Sequence, residues 1–375
     1  MPVKHDLPYT ATLEDYEREA TALFGALETR DNAALWNFKW MHPHYRGKTV
    51  QDVKPETLDL DDARLVVAQE YAFHTWYDLG NFAKEVEREG PVRTFEIAVE
   101  AVIGGDVAKL RSMVRDDPKL VYARSARRHH ATLLHYIAAN GVEGVRQQTP
   151  ANAVEVARLL LDAGANPDAL AVMYDNLCTT MSMLVSSAHP ARAGLQAELA
   201  ETLLDYGAAN SGPGSAWQSN LMTALAFGYV GTAERLAKRG APIDDLPAAA
   251  GLGRVEEAIR LLPTADQRSR HVALALASQH GHADVVGVLL DAGEDPNRYN
   301  PDGFHSHSTP LHQAIASDRP GVVRLLLDRG ARTDIKDTIY QGTPLDWAIH
   351  CERPAIAEEL RKRHEQPGGE NRSTE

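Results

Sequence analysis

The chain has 375 residues, of which 43% are hydrophobic and 6% aromatic, and carries a formal charge of −13. That length suits two ordinary domains or one elongated array, and the acidic balance opposes general binding to phosphate backbones. Two cysteines, Cys178 and Cys351, suggest neither a disulfide framework nor a four-thiol zinc site. No run reaches the ~18 apolar residues of a membrane span and no signal-peptide core opens the chain, so a cytoplasmic protein is expected.

Residues 12–31, TLEDYEREATALFGALETRD, read as an amphipathic helix. Leu13, Tyr16, Ala20, Leu23, Phe24 and Leu27 share one face, and Thr12 is the N-cap. An aromatic- and proline-rich stretch, LWNFKWMHPHYRGKTVQDVKPET, precedes two further helices over 60–73 and 74–88. An opening helix unit follows at 101–114, and ARSARRHH (123–130) is the one local basic patch.

From there the chain repeats itself. Helix starts recur at ATLLHYIAANG (131–141), MTALAFGYVG (222–231), STPLHQAIASD (308–318) and GTPLDWAIHCE (342–352). In the last two, Thr309 or Thr343 is followed by Pro310 or Pro344, an N-cap and a first-turn proline that loses no hydrogen bond. Helix stops recur at Gly164, Gly207, Gly240, Gly293 and Gly330, each after an apolar helix end. Residues 246–262 read as a unit lacking its loop, and 271–290 as a full helix pair. One such pair cannot bury its own apolar face, so stacking is required.

Thr309-Pro310-Leu311-His312-Gln313-Ala314, partial copies at 132–138 and 343–348, and the Gly207–Gly240 spacing resemble the ankyrin repeat family. The resemblance implies an all-α solenoid of seven to eight helix-pair repeats over residues 91–364. The N-terminal helical region, 1–90, resembles a segment found ahead of ankyrin arrays in some bacterial proteins, and a capping role is expected for it. The polar tail, 365–375, is expected to be disordered. The family gives His312 and His135 a structural role, bridging adjacent repeats; Asp346 takes that place in the last repeat.

In ankyrin-like proteins the loops after the glycine stops project as fingers that bind partners with the inner helices. Here the fingers from Gly164 to Thr179, Gly207 to Thr223 and Gly293 to Thr309 are overlong, and Gly330 to Thr343 is nearly regular. They carry aromatics where turn closure needs only Gly, Asn, Asp and Ser. Either these side chains anchor a partner or they fold back on neighbouring repeats. Two insertions, 141–156 and 186–204, lengthen turns at the other helix ends, as one joint patch or as tolerated surface loops.

The expected function is protein–protein interaction, without nucleic acid or membrane as partner. The expected face comprises Arg128, His129, Tyr174, Asp175, Trp217, Phe304, His305, His307 and Tyr340. Neither metal nor cofactor is expected: His305 and His307 are too few ligands, and H-E-x-x-H and paired C-x-x-C motifs are missing. Cys178, near a helix start, reads as a mildly activated thiol or a small buried hydrophobe. The competing reading is an enzyme or small-molecule binder, with His129, His305 and His307 beside carboxylates such as Asp175, Asp302 and Asp337 in a pocket. A third makes the N-terminal helices a docking element in a larger assembly.

Overall fold

Thr12 does start the first helix: its side chain and Asp15 form a reciprocal capping box. The structure, a computed structural model, describes residues 7–213 and 219–365, and divides into two compact units, up to Asn220 and from Leu221. Among the described residues it is helix-rich, with one short hairpin.

The first unit opens with α1 (Leu13–Glu28), α2 (Asn32–Met41), α3 (Leu60–Glu70) and α4 (Trp76–Glu87). Tyr16, Ala20, Leu23 and Leu27 of α1 are buried, as the pattern required, against Phe38, Val66, Val67, Leu79 and Phe82. A fully buried Leu or Phe contributes about 1.5–3 kcal/mol relative to exposure. α5 (Pro91–Gly104) packs on α4 and pairs with α6 (Val107–Asp116).

The expected helix at 131–141 is only a six-residue 3-10 turn, Leu133–Ala138. Ala139 turns left-handed, with φ 47°, and ends it. The chain then dives inward, burying Val142, Glu143 and Val145, before α7 (Ala153–Asp162). The first insertion is therefore partly core. The residues just before it touch the start of the second: Asn140 donates to Ser186 Oγ (2.9 Å) and Ser187 donates to the Ala139 carbonyl (3.3 Å).

The finger after Gly164 folds into a hairpin, β1 (Ala171–Met173) and β2 (Asn176–Cys178), with Met173 opposite Asn176. α8 (Thr180–Leu184), α9 (Ala188–Arg192) and α10 (Gln196–Asp205) complete the unit.

The second unit is a run of helix pairs. These are α11 (Asn220–Ala226) with α12 (Val230–Lys238), α13 (Leu246–Gly251) with α14 (Val255–Leu261), and α15 (Gln267–His280) with α16 (Ala283–Asp291). Two more follow: α17 (Pro310–Ala316) with α18 (Pro320–Asp328), and α19 (Pro344–His350) with α20 (Pro354–Glu365). Alanines and leucines of successive pairs share one core, including Leu274, Leu289, Leu311, Leu326 and Ile356. All five predicted glycine stops are left-handed, with φ from 86° to 95°. No helix among the described residues is long and apolar enough to cross a membrane.

Candidate functional site

The finger of the second unit between Gly330 and Thr343 is organised by one carboxylate. Asp337 is fully buried. Its Oδ1 accepts the N–H groups of Ile339 (2.9 Å) and Tyr340 (2.6 Å). Its Oδ2 accepts Gly342 N–H (2.8 Å) and the Trp347 indole N–H (3.0 Å). Burial pushes this carboxyl up, but the donors, led by Trp347, outweigh it and hold the pKa at about 2. Closure is completed by Asp337 N–H on the Gly342 carbonyl. Ile339 and Tyr340 are thereby presented at 61% and 77% exposure. Asp337 is thus a structural anion, which corrects its listing among acid–base candidates.

The preceding finger behaves differently. Phe304 is only 3% exposed, which withdraws it from the expected contact face; Pro301 accepts its N–H as the loop curls inward. Tyr299 also folds back, donating to the Lys336 carbonyl at 2.7 Å. His305 is left-handed (φ 60°) and half-buried, and burial, then His307, lowers its pKa. His307 lies 5.9 Å from the Trp347 ring and His312 lies 5.1 Å from it. Among the described residues no group of three or more His, Cys, Asp or Glu is placed to hold a metal ion. His312 spans repeats as the resemblance implied: Nδ1 accepts Thr309 N–H (3.3 Å), so Nε2–H donates to Gly342 O (3.3 Å).

In the first unit, Tyr174 and Asp175 form the hairpin turn, both left-handed (φ 52° and 61°). Such turns ordinarily use Asn-Gly, because a Cβ is penalised there. Tyr174 is nonetheless 67% exposed, with its hydroxyl on Asn140 Oδ1 at 2.7 Å. Arg128 is half-buried, donates to Gln69 Oε1 (2.9 Å), and lies in the fields of Arg46 and Asp175. Arg128 thus feels the Asp175 carboxylate without pairing with it.

His129 is not on that face. It is 2% exposed. Its Nδ1 accepts Ala131 N–H, so Nε2–H donates to Glu143 at 3.0 Å, and neither nitrogen is left for a partner. The expected basic patch around it is likewise partly internal. Arg127 is fully buried, ion-paired to Glu143 (2.8 Å) and Glu96 (3.1 Å), with Phe82 4.4 Å from its guanidinium. Tyr9 and Tyr136 also donate to Glu143, at 3.1 and 2.9 Å. Burial raises both glutamates, but Arg127 and His129 pull Glu143 down to about 2 while Glu96 stays at about 7. Sequence reading missed this network; its one signal was an arginine-histidine run beside an aromatic-rich N-terminus. Cys178 is buried, and burial raises its thiol pKa, the opposite of activation. Trp217 lies outside the described residues.

Short helix pairs with Thr-Pro starts and left-handed glycine stops define a helical repeat protein. A family model described as ankyrin repeats matches over residues 246–338 and 274–370. Over 98 residues the chain is 35% identical to neurogenic locus notch homolog protein 1 of Xenopus laevis, covering 26% of this chain and 4% of that protein. Over 94 residues it is 35% identical to the neurogenic locus Notch protein of Drosophila melanogaster, 25% of this chain and 3% of that one. It is 37% identical over 94 residues to neurogenic locus notch homolog protein 2 of Homo sapiens, 25% and 4% of the two chains. The chain thus matches only a small part of the length of these relatives. Residues 246–370 thus carry ankyrin repeats, which generally mediate protein–protein interaction.

Proposed function

We propose that this chain is a non-enzymatic binding module that engages a protein partner through its finger tips, with Ile339 and Tyr340 as principal anchors. The observation that carries this reading is the Asp337 lock. Four donors converge on one buried carboxylate only to hold a loop whose tip is apolar and exposed. A tip ordered before binding loses less entropy on association, and tyrosine is a favoured hot-spot residue. The Tyr174 hairpin is a second anchor: its left-handed backbone is strain retained at an exposed side chain. On this reading residues 91–364 form eight repeats, one per helix pair, and residues 1–90 form an N-terminal helical cap with its own core.

The test is affinity capture from the native cell with the wild type, Tyr340→Ala and Ile339→Ala. The expected result is an unchanged melting temperature with loss of at least one specific partner. Undiminished capture by both variants overturns the reading, as does a large fall in melting temperature, which would make these core residues.

A further inference from the structure

Residues 32–51 contain no Asp or Glu, yet carry Lys39, Arg46 and Lys48, in a chain of net charge −13. Several arginines nearby are paired: Arg18 with Glu14, Arg30 with Glu56, Arg64 with Asp61 and Arg88 with Glu85. Lys39, Arg46, Lys48 and Arg128 have no carboxylate within ion-pair distance among the described residues. Lys48 instead meets His44 Nε2 (3.0 Å) and the Tyr45 ring (5.5 Å). Arg46 is exposed and acts on Arg128 as a like charge, with Asp175 the carboxylate opposing it. Asp52 also feels Lys48, but no carboxylate closes an ion pair with these cations, which leaves them open to an added anion.

The same segment exposes aromatic surface. Phe38 and Tyr45 point into the core, at 0% and 3% exposure, whereas Trp36 and Trp40 stand at 39% and 61%. One helical turn apart on α2, their rings stack at 6.2 Å and 19°. Lys39 Nζ lies 3.0 Å from the Trp40 ring centroid, a cation–π contact that adds positive charge to the aromatic platform. Tryptophan and arginine are the residue types that dominate interface hot spots.

We propose that this surface, built on α2 and the turn after it, docks an acidic peptide segment with bulky apolar side chains between its carboxylates, supplied by a protein partner. The carboxylates meet Arg46, Lys48 and Arg128, and an apolar side chain lies on the Trp36–Trp40 pair. Charge complementarity selects a short acidic segment over a polyanion. A nucleic-acid backbone is gripped through about 6–10 phosphate contacts in strongly salt-dependent complexes. Here the cations are few and the remainder of the chain is strongly acidic, which repels an extended polyanion or an anionic membrane surface. The proposal is independent of the Ile339–Tyr340 finger.

The test is fluorescence anisotropy on the full chain with a labelled synthetic peptide of Asp and Glu interleaved with Phe and Leu. Its Lys-for-acid counterpart, oligothymidylate and phosphatidylserine vesicles serve as competing probes. The expected result is saturable, micromolar binding of the acidic peptide alone. The double charge reversal Arg46→Glu/Lys48→Glu weakens it by about tenfold or more, and Trp40→Ala weakens it severalfold. These side chains are exposed, so the melting temperature is unchanged, and Ile339→Ala binds as wild type. Absence of saturable binding, affinity indifferent to the charge reversal, or tighter binding of oligothymidylate or vesicles overturns the proposal. Because Ile339→Ala tests the finger reading alone, the two can fail separately.

Discussion

Replacing Asp337 by Asn removes a charge from a finger while barely changing its shape. The carboxylate meets four donors, two on each oxygen. An amide offers one oxygen and one NH2, so either orientation sets two donors against a donor. The native carboxyl sits at about 2 rather than 3.8, although burial opposes this. At ~1.4 kcal/mol per factor of ten in proton affinity, the fold favours the charged form by about 2 kcal/mol. Leaving buried N–H groups unpaired costs about 1–3 kcal/mol more. The expected loss is about 3 kcal/mol in urea unfolding, with faster hydrogen exchange at the Ile339 and Tyr340 amides. The folded pKa is depressed, so the stabilisation is present above the unfolded value and is lost as pH falls toward 2. The gap between wild type and variant is therefore constant from about pH 5 to 8 and closes below about pH 4. A gap under about 1 kcal/mol, or one that varies between about pH 5 and 8, refutes the lock.

In the first unit, Arg127→Met strands Glu143 as a buried anion and costs about 3–5 kcal/mol by chemical denaturation. Near neutral pH, Glu96→Gln costs far less than Glu143→Gln, because Glu96 holds its proton up to about 7 and Gln resembles the neutral acid; equal losses contradict that division of charge. In the second unit, burial holds His280 at about 4 while its Nε2 meets Leu225 O at 2.9 Å. Between about pH 4 and 6.5 the unfolded chain takes up a proton the folded one does not, so stability rises with pH in that window. His280→Asn removes part of that slope in urea titrations; an unchanged slope places the imidazole in water.

The repeat architecture was legible because its signals are local. A Thr-Pro start and a glycine stop depend on backbone geometry within a few residues, and α17, α18 and α19 lie where those signals put them. The face was less legible because exposure of a loop side chain depends on what the loop packs against. Phe304, Tyr299 and Tyr340 look alike in sequence, yet one is core, one bridges loops and one projects. What separates Tyr340 is Asp337, whose role required the position of Trp347, ten residues on. The buried ion network was hidden for a related reason. Arg127 and Arg128 are adjacent and identical, and only the approach of Glu96, Glu143 and Phe82 from distant elements sends one inward.

The degenerate helix starts show how one physical task tolerates several residues. Each opening threonine needs an acceptor three positions on, to take the N-cap N–H. His135 and His312 supply Nδ1, Ser182 its hydroxyl, and Asp346 a carboxylate oxygen, at 3.2, 3.3, 3.0 and 2.8 Å. A serine or aspartate serves as well as histidine for that task alone. The imidazole adds a second nitrogen on the far side of the ring, and in His312 it reaches Gly342 O of the following repeat. Asp346 has no such second reach, and it occupies the last helix pair of the array, where no following finger is present among the described residues to accept one. Ser182 serves the cap from inside the array without such a reach, so the fourth position needs an acceptor first, and His312 adds the bridge to that task.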